Sequence, residues 1–444
     1  MSESYSGTAN DVPGLAARRL AAFAVDEVIR ARTALDDTLE RWAHDKRVGA
    51  LAQDMPLARA IATVTFRRFG TIRRAIDERL AKGSPPHGGP FEAVMATAAA
   101  QILFLDVPDH AAVDLAIRLL SEDGRSLRYA GLANAVLRRL TRERAAVLAQ
   151  SDPMQDTPDW LLTRWVKTYG AGVAAQIATA HAQEPPLDLT LAGPLADWPE
   201  QLVALVLPTG SLRLRGRTAL AELPGYEAGA WWVQDASASL PAKLLKVTPG
   251  ERAVDLCAAP GGKTMQLAAT GADVTAVDRS GQRLKRVREN LVRMGLSAKV
   301  VTKDALAFLA EPFDAVLLDA PCSATGTIRR HPDVAWSKGE NDLAKLVVLQ
   351  AKLLAKAGEL TKPGGRLVYC TCSLEREEGE DQIEAFLAAH PDFRREPVLP
   401  SEIGGIAEAI TPAGDLRALP FHLAGDNPRL SGWAGFYACR LVRL

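Results

Sequence analysis

The chain of 444 residues carries only five cysteines, an odd number at irregular spacing. That excludes a disulfide framework as its source of stability and predicts free thiols in a reducing compartment. Lys plus Arg and Asp plus Glu both number 53, so no net charge draws a polyanion to the whole surface, and an acidic partner must be met by a local basic patch. No run approaches the roughly 20 apolar residues that a membrane span needs. The first residues lack the basic, apolar and small-residue succession of a signal peptide, so the expected location is the cytoplasm and no membrane partner is expected. No repeat of fixed period and no low-complexity tract stands out. A Cys-x-x-Cys pair is also missing. Zinc held by Cys257, Cys322, Cys370, Cys372 and His331 would need ligands converging from three strand ends, so no metal is expected. What is present is 48% hydrophobic content, over a length sufficient for two or three domains and an ample core.

Residues 1–13, with Ser, Gly and Asn, are predicted to form a disordered tail. Over 14–147 apolar residues recur at helical spacing, in 15–29, 58–69, 91–105, 111–120 and 132–140, which predicts an all-α domain. Between Gly14 and Arg144 it holds 21 Lys or Arg against 16 Asp or Glu, a net charge of +5. Its clusters Arg67-Arg68, Arg73-Arg74 and Arg138-Arg139 suit either phosphate contacts or solvated helix faces. Gly83 to Pro90 is rich in helix breakers and reads as an internal loop. Residues 152–158 read as a linker, followed by helices near 160–169 and 172–182 and a strand-rich stretch to Trp232. Together 148–240 make linker helices and a small α+β segment. In 241–444 strands (252–257, 274–278, 299–302, 313–318, 366–369) alternate with helices (282–294, 343–360), a βαβ series that predicts a Rossmann-like α/β domain.

The first turn of that series is Asp255-Leu256-Cys257-Ala258-Ala259-Pro260-Gly261-Gly262-Lys263-Thr264: a strand end, a loop of small residues and a helix start. Small residues let backbone approach a ligand closely. In such a unit an acidic residue about 20 positions later hydrogen-bonds a ribose, and Asp278 holds that place. Asp304, at the end of the third strand, can reach an adenine amino group. An adenosine-containing cofactor is therefore expected, against the alternative that Asp255, Asp278 and Asp304 are strand-end caps. Gly262-Lys263-Thr264 mimics the tail of a phosphate-binding P-loop, but Cys257 stands where that loop needs glycine, and a Gly-x-Gly-x-x-Gly fingerprint is missing too. S-adenosylmethionine fits better, because it carries no phosphate and its positive sulfur suits carboxylates. The candidate cofactor-binding residues are Cys257, Ala258, Ala259, Pro260, Gly261, Gly262, Lys263, Asp278, Asp304 and Asp319.

Cys322, in Asp319-Ala320-Pro321-Cys322-Ser323, and Cys372, in Thr371-Cys372-Ser373, each close a run that reads as a buried parallel strand. Ligands of open α/β sheets bind at the carboxyl ends of strands, so both thiols are predicted to face one cleft. Spacing alone does not say which of them attacks. Cys257, Cys370 and Cys439 read as packing residues, and Cys257 is also a candidate by its place in the cofactor turn.

The stretches 255–264, 319–336 (with Arg329-Arg330-His331-Pro332-Asp333) and 369–373 resemble signature motifs of RNA cytosine-5 methyltransferases of the RsmB (Sun, Fmu) type. Gly229 to Ala238 (GAWWVQDASA) is similar to the segment that precedes the cofactor motif in that family, and Asn134 to Arg139 (NAVLRR) to the end of its NusB-like domain. The resemblance spans about 14–444. It departs at Leu187-Asp188-Leu189-Thr190-Leu191, where the family often has an Arg-Val-Asn-like strand, and at Gly432 to Tyr437, which matches the Asp-Gly-Phe-Phe closing strand loosely. The fold it implies is a Rossmann-like S-adenosylmethionine-dependent methyltransferase domain preceded by an all-α NusB-like RNA-binding domain.

The implied reaction explains the thiols. Carbon 5 of cytosine is a poor nucleophile, but a thiolate added at carbon 6 creates an enamine that can attack a methyl group. An ordinary thiol has a pKa near about 8.5, so the site needs a positive neighbour, for which Lys263 and the cofactor's sulfonium are candidates. Asp319 is expected to hydrogen-bond the base's amidine edge and, when protonated, to donate to the ring nitrogen. By resemblance Cys372 is the nucleophile, and Cys322 helps release the product by taking the proton from carbon 5. The implied partner is RNA with an unpaired cytosine, small-subunit ribosomal RNA first and tRNA as the alternative, and the protein is expected to be a monomer. A non-catalytic RNA-binding ribosome-assembly factor is a further reading. A methyltransferase of exocyclic amines would carry an Asn/Asp-Pro-Pro-aromatic loop, which Asp319-Ala320-Pro321-Cys322 is not. His331 reads as a loop cap or RNA contact.

Overall fold

The computed structural model describes residues 12–216 and 218–444, so the tail expected at 1–13 lies, apart from Val12 and Pro13, outside the described residues. The chain divides into two compact units, Met1–Ala182 with His331–Gly339, and Gln183–Arg330 with Glu340–Leu444.

The first unit is helical: Leu15–Ala31, Leu35–Ala43, Met55–Arg67, Phe69–Asp77, Phe91–Phe104, Asp109–Glu122, Ala130–Ala149, Asp159–Tyr169 and Ala171–His181. Its centre is Phe91–Phe104, apolar on every side and buried from Phe91 to Leu103 save Glu92. A helix of this kind can only be a core helix. Its two buried polar residues turn back on the helix itself, Thr97 Oγ1 donating to Ala93 O and Gln101 Nε2 to Thr97 O. The single helix predicted over 58–69 breaks at Arg68, whose φ of −119° and ψ of 23° are not helical, and resumes as Phe69–Asp77. The stretch 152–158, expected as a linker, is packed. Buried Asp156 accepts from Thr71 N at 2.8 Å and faces Arg68 at 3.5 Å, and burial raises its pKa.

Residues 331–339 join this unit. Trp336 packs edge-on against Phe69 at 4.9 Å and donates to Phe66 O, Asp333 accepts from Leu35 N at 3.0 Å, and His331 lies 3.6 Å from Asp36.

The second unit begins with a small antiparallel sheet of β1 (Asp188–Leu191), β2 (Ala204–Val206), β3 (Leu212–Leu214) and β4 (Trp231–Val233), in the order β2-β3-β1-β4. It is pinned by an ion pair between Arg213 and Asp188 at 2.7 Å, both fully buried. The main sheet holds β5 (Arg252–Leu256), β6 (Asp273–Asp278), β7 (Lys299–Thr302), β8 (Phe313–Asp319), β9 (Thr361–Thr371), β10 (Phe393–Arg395), β11 (Leu416–Ala418) and β12 (Phe436–Arg443). Its order is β10-β12-β9-β8-β5-β6-β7, with β11 on β12. Strands β5 to β9 pair in parallel and β12 runs antiparallel to β9. The parallel strands are near-continuous apolar runs because helices cover both faces. Val316, Leu317 and Leu318 have no exposed surface, and each such side chain contributes about 1.5–3 kcal/mol on burial. Helix Gly281–Met294 is bounded by its sequence: Ser280 accepts from Arg283 N at its start, and Gly295 ends it in the left-handed region (φ 62°). It lays Leu284, Val287, Leu291 and Met294 on the sheet. No helix among the described residues is long and apolar enough to cross a membrane.

Candidate active site

Register brings the two thiols together. Asp319, the last residue of β8, pairs with Cys370 in β9, and Ala320 N donates to Cys370 O at 2.9 Å. The chain then runs on three residues to Cys322 and two to Cys372, and the sulfurs lie 3.4 Å apart. The following serines meet as well, Ser323 Oγ to Ser373 Oγ at 3.1 Å. Gly326 completes the alignment, donating to Cys372 O at 3.0 Å and accepting from Gly435 N at 2.7 Å. A Cβ at Gly326 would sit 2.0 Å from the Gly435 carbonyl oxygen, so only glycine permits this approach. The thiol of Cys322 is pushed well above its ordinary range by its hydrogen bond with Cys372, then by burial, then by the charges of Cys372 and Glu378.

Lys263 and Asp319 form the second element. Lys263 Nζ lies 2.7 Å from Asp319 Oδ2 and 4.9 Å from the Phe436 ring. Burial is the largest single influence and works against this ammonium, but the charge and hydrogen bond of Asp319 together with the neighbouring acidic groups outweigh it and hold the proton more firmly than usual. The expected positive neighbour of the nucleophile is therefore engaged by Asp319. The thiol nearest that pair is Cys370, fully buried, with its sulfur 3.6 Å from Asp319 Oδ1, and burial followed by the Asp319 charge raises its pKa well above normal.

The cofactor turn follows β5. Cys257 stands in the left-handed region at φ 63°, which costs a non-glycine residue about 1–2 kcal/mol, and its thiol is pushed up to about 12 by burial and then by Asp319. Ala258 and Ala259 are buried, and Pro260, joined to Ala259 by a cis bond, is exposed. Gly261 (φ 105°) opens the helix Gly262–Ala269, and a side chain there would press on Val287 at 3.1 Å. Asp278, at the end of β6, accepts from Ala259 N (3.1 Å) and Ser280 N (2.8 Å), and Asp304 caps the turn after β7 by accepting from Leu306 N (2.9 Å). Both therefore do the capping that was the alternative reading, and each keeps lone pairs for a ligand. Asp255 differs. Its Oδ2 accepts from Thr264 Oγ1 at 2.6 Å, while Oδ1 is buried without a hydrogen bond, and burial, with a contribution from Asp319, raises the carboxyl to about 7. Carboxylates at three strand ends, with Lys263 already paired to Asp319, suit a cationic ligand without phosphate.

Reading the sequence for candidates left out four residues that shape this site: Ser323, Ser373, Gln350 and Glu378. Glu378 is fully buried, accepting from Ser323 N (2.9 Å), Ser323 Oγ (2.5 Å) and Gln350 Nε2 (2.9 Å). It belongs to the acidic run Glu375-Arg376-Glu377-Glu378, which reads as a solvated turn, and nothing in a single sequence sets it apart. Arg329 is buried and donates to Ser431 O and Glu184 O, and Arg330 pairs with Asp235 at 3.1 Å, so both brace the unit internally. His331 belongs to the helical unit, where it faces Asp36. Among the described residues no group of three or more His, Cys, Asp or Glu is placed to hold a metal ion.

Comparison with known proteins finds two family matches, to 16S rRNA methyltransferase RsmB/F over residues 242–428 and to the NusB family over 15–142. The chain is 34% identical to ribosomal RNA small subunit methyltransferase B of Pasteurella multocida (strain Pm70), covering 88% of this chain and 94% of that protein. It is 38% identical to the protein of the same name from Sodalis glossinidius (strain morsitans), covering 77% and 79%. Among solved structures, the crystal structure of PH0851 aligns over 97% of this chain and 99% of that one, with a TM-score of 0.72 at 23% identity. NSun6 from Pyrococcus horikoshii, solved with SFG, aligns over 64% and 98%, with a TM-score of 0.55 at 19% identity. These two likenesses bear on the fold.

Proposed function

Since the chain belongs to the RsmB/F family of 16S rRNA methyltransferases, we propose that it methylates carbon 5 of a cytosine in small-subunit ribosomal RNA through a covalent bond to Cys372. The observation that carries this reading is the thiol pair, 3.4 Å apart at the ends of adjacent parallel strands. Methyl transfer to an exocyclic amine needs no nucleophilic cysteine, whereas activation of carbon 5 does.

Each residue then has a task. The Cys372 thiolate adds to carbon 6, and the electron pair displaced from the 5,6 double bond makes carbon 5 nucleophilic. S-adenosylmethionine supplies a methyl group on a positively charged sulfur, and the turn 257–263 with Asp278, Asp304 and Asp319 would hold it. Asp319, fixed by Lys263, accepts from the exocyclic amine of the cytosine and orients the ring. After transfer, carbon 5 bears both the methyl group and its original hydrogen. Cys322 takes that proton, the C–H electrons restore the double bond, and the bond from carbon 6 to Cys372 breaks with the thiolate leaving. The base must leave its stack to reach the site, so an unpaired cytosine is the target. Residues up to 147 act as the RNA-binding domain, 148–240 connect, and 241–444 catalyse, in a monomer that works in the cytoplasm.

Sequencing of 5-methylcytosine in total RNA from cells with and without the gene tests the substrate, and loss of a site in tRNA instead would move the assignment there. Cys372→Ala is expected to abolish methylation while cofactor binding is retained, and near-normal methylation would refute the nucleophile. Cys322→Ala is expected to trap a protein–RNA adduct that survives denaturation. Normal product release without any adduct would remove its role.

A further inference from the structure

We propose that Glu378 is a positioning residue of the release step: its buried carboxylate clamps Cys322-Ser323 onto Cys372-Ser373 and sets when Cys322 gives up its proton. The proposal rests on the roles assigned above to the two cysteines.

Glu378 is fully buried, and the donors that reach its carboxylate are the neutral groups Ser323 N, Ser323 Oγ and Gln350 Nε2. A buried charge in that position is costly and persists only where hydrogen bonds replace water. Its three donors do more than satisfy it. Two come from Ser323, and the third, Gln350 Nε2, also donates to Pro321 O at 2.9 Å. The residues on both sides of Cys322 are therefore pinned through one carboxylate and one amide. A carboxylate only accepts, so the Ser323 hydroxyl must donate to it and is left to accept from Ser373. The network thus has a direction, from Ser373 to Ser323 to Glu378. The backbone carbonyl of Glu378 in turn accepts from Tyr369 OH at 2.8 Å and from Thr371 Oγ1 at 3.3 Å, both on β9, the strand that delivers Cys372. One residue ties together the two segments that carry the thiols.

The charges around Cys322 explain how this placement acts in time. The hydrogen bond with Cys372, burial, and the charges of Cys372 and Glu378 all raise the pKa of Cys322, and Tyr369 lies close by. Arg417 on β11 is engaged by Ser373 O and Glu380, and the Lys263–Asp319 pair stands at the end of β8. While Cys372 is a thiolate, its hydrogen bond and charge keep the proton on Cys322. Once Cys372 is bonded to carbon 6 that charge is gone, Cys322 loses its proton to water, and the thiolate so formed can take the proton from carbon 5. Glu378 is then the remaining anion beside it. It keeps the Cys322 thiolate basic.

The test reads Cys322 directly. In a Cys372→Ser background, with no RNA present, alkylation of Cys322 by iodoacetamide is followed by peptide mass spectrometry from pH 6 to 10. Adding Glu378→Gln is expected to lower the midpoint by about one pH unit or more, or about tenfold faster alkylation at a fixed pH below it. In single turnovers with RNA, Glu378→Gln alone should form the adduct at a rate near normal and shift the acid limb of adduct decay downward by the same amount. A purely structural residue would move neither midpoint. An unchanged midpoint in a folded Glu378→Gln protein overturns the proposal. Should that variant fail to fold, judged by circular dichroism and cofactor binding, Glu378→Asp decides: an unshifted midpoint with slowed adduct decay supports the clamp, and wild-type decay refutes it. The alkylation needs no RNA, so a shifted midpoint together with absent 5-methylcytosine would sink the cytosine reading and leave the coupling of Glu378 to Cys322 standing.

Discussion

Replacing Asp255 by Asn should stabilise the protein, and more so as the pH rises. The Asp255 carboxyl has its pKa raised from 3.8 to about 7, chiefly by burial, and Oδ1 lacks a hydrogen bond. A group whose pKa is raised on folding binds its proton more tightly in the folded state. Its contribution is fully favourable below the unfolded value and is lost as the pH climbs through the folded one. At 1.36 kcal/mol per unit the whole effect is about 4 kcal/mol, of which about 3 kcal/mol falls between pH 5 and pH 8. Asn keeps an oxygen for Thr264 Oγ1 and does not ionise, so it removes the pH dependence while sparing the hydrogen bond. Urea unfolding of both proteins at steps from pH 5 to pH 8 measures this. The difference in stability cancels the titration of other groups, provided they lie apart from the site. It should grow by about 3 kcal/mol in favour of Asn and level off above pH 7. A difference that stays flat across this range would show that Asp255 is ionised throughout and that its burial is compensated.

Lys263→Met removes the counter-charge from Asp319 and should slow methylation by about 100-fold or more in single-turnover assays, and a loss below about fivefold would contradict the role given to the pair. Arg213→Met leaves the Asp188 carboxylate buried and unpaired, so urea midpoints should report a loss of about 3–5 kcal/mol, whereas the double variant with Asp188→Leu should recover most of it. Gly326→Ala forces the Cys322 loop away from Gly435. It is expected to cost about 1–3 kcal/mol and to weaken adduct formation, and a fully active, equally stable variant would show that the close approach is dispensable.

The alternation from 252 to 371 was legible because parallel strands covered on both faces are written as unbroken apolar runs. What hid the start of β9 is Lys362-Pro363-Gly364-Gly365, which reads as a turn yet continues the strand, with a register shift between Phe313 and Ala315 on its partner. Helices Leu35–Ala43 and Phe69–Asp77 escaped notice because nine residues give the helical period little room to repeat. In the site, Cys322 and Cys372 were visible because each closes an apolar run. Glu378 was not, since its residue type matches half-buried Glu377 beside it and only the fold sets the two apart. Nor does local sequence show what Arg329 and Arg330 do, since their partners Ser431, Glu184 and Asp235 lie 95 to 145 residues away in the chain.

The strand order explains why one ion pair matters so much. From β5 the chain moves outward through β6 to β7, then returns to lay β8 and β9 on the other side of β5. Ligands of such sheets bind where this order reverses. The residues placed to hold the methyl donor, at Asp278 and Asp304, close the strands on one side. Both thiols follow the strands on the other. Lys263 comes from the helix after β5 and Asp319 from the end of β8, so their 2.7 Å contact spans the reversal. On the roles proposed above, donor and nucleophile would meet across this pair. Changes at Cys372, Cys322 or Glu378 should leave affinity for the donor intact, and changes at Asp278 should leave thiol alkylation intact. Loss of Lys263 should disturb both, because it comes from the helix after β5 and pairs with Asp319 at the end of β8.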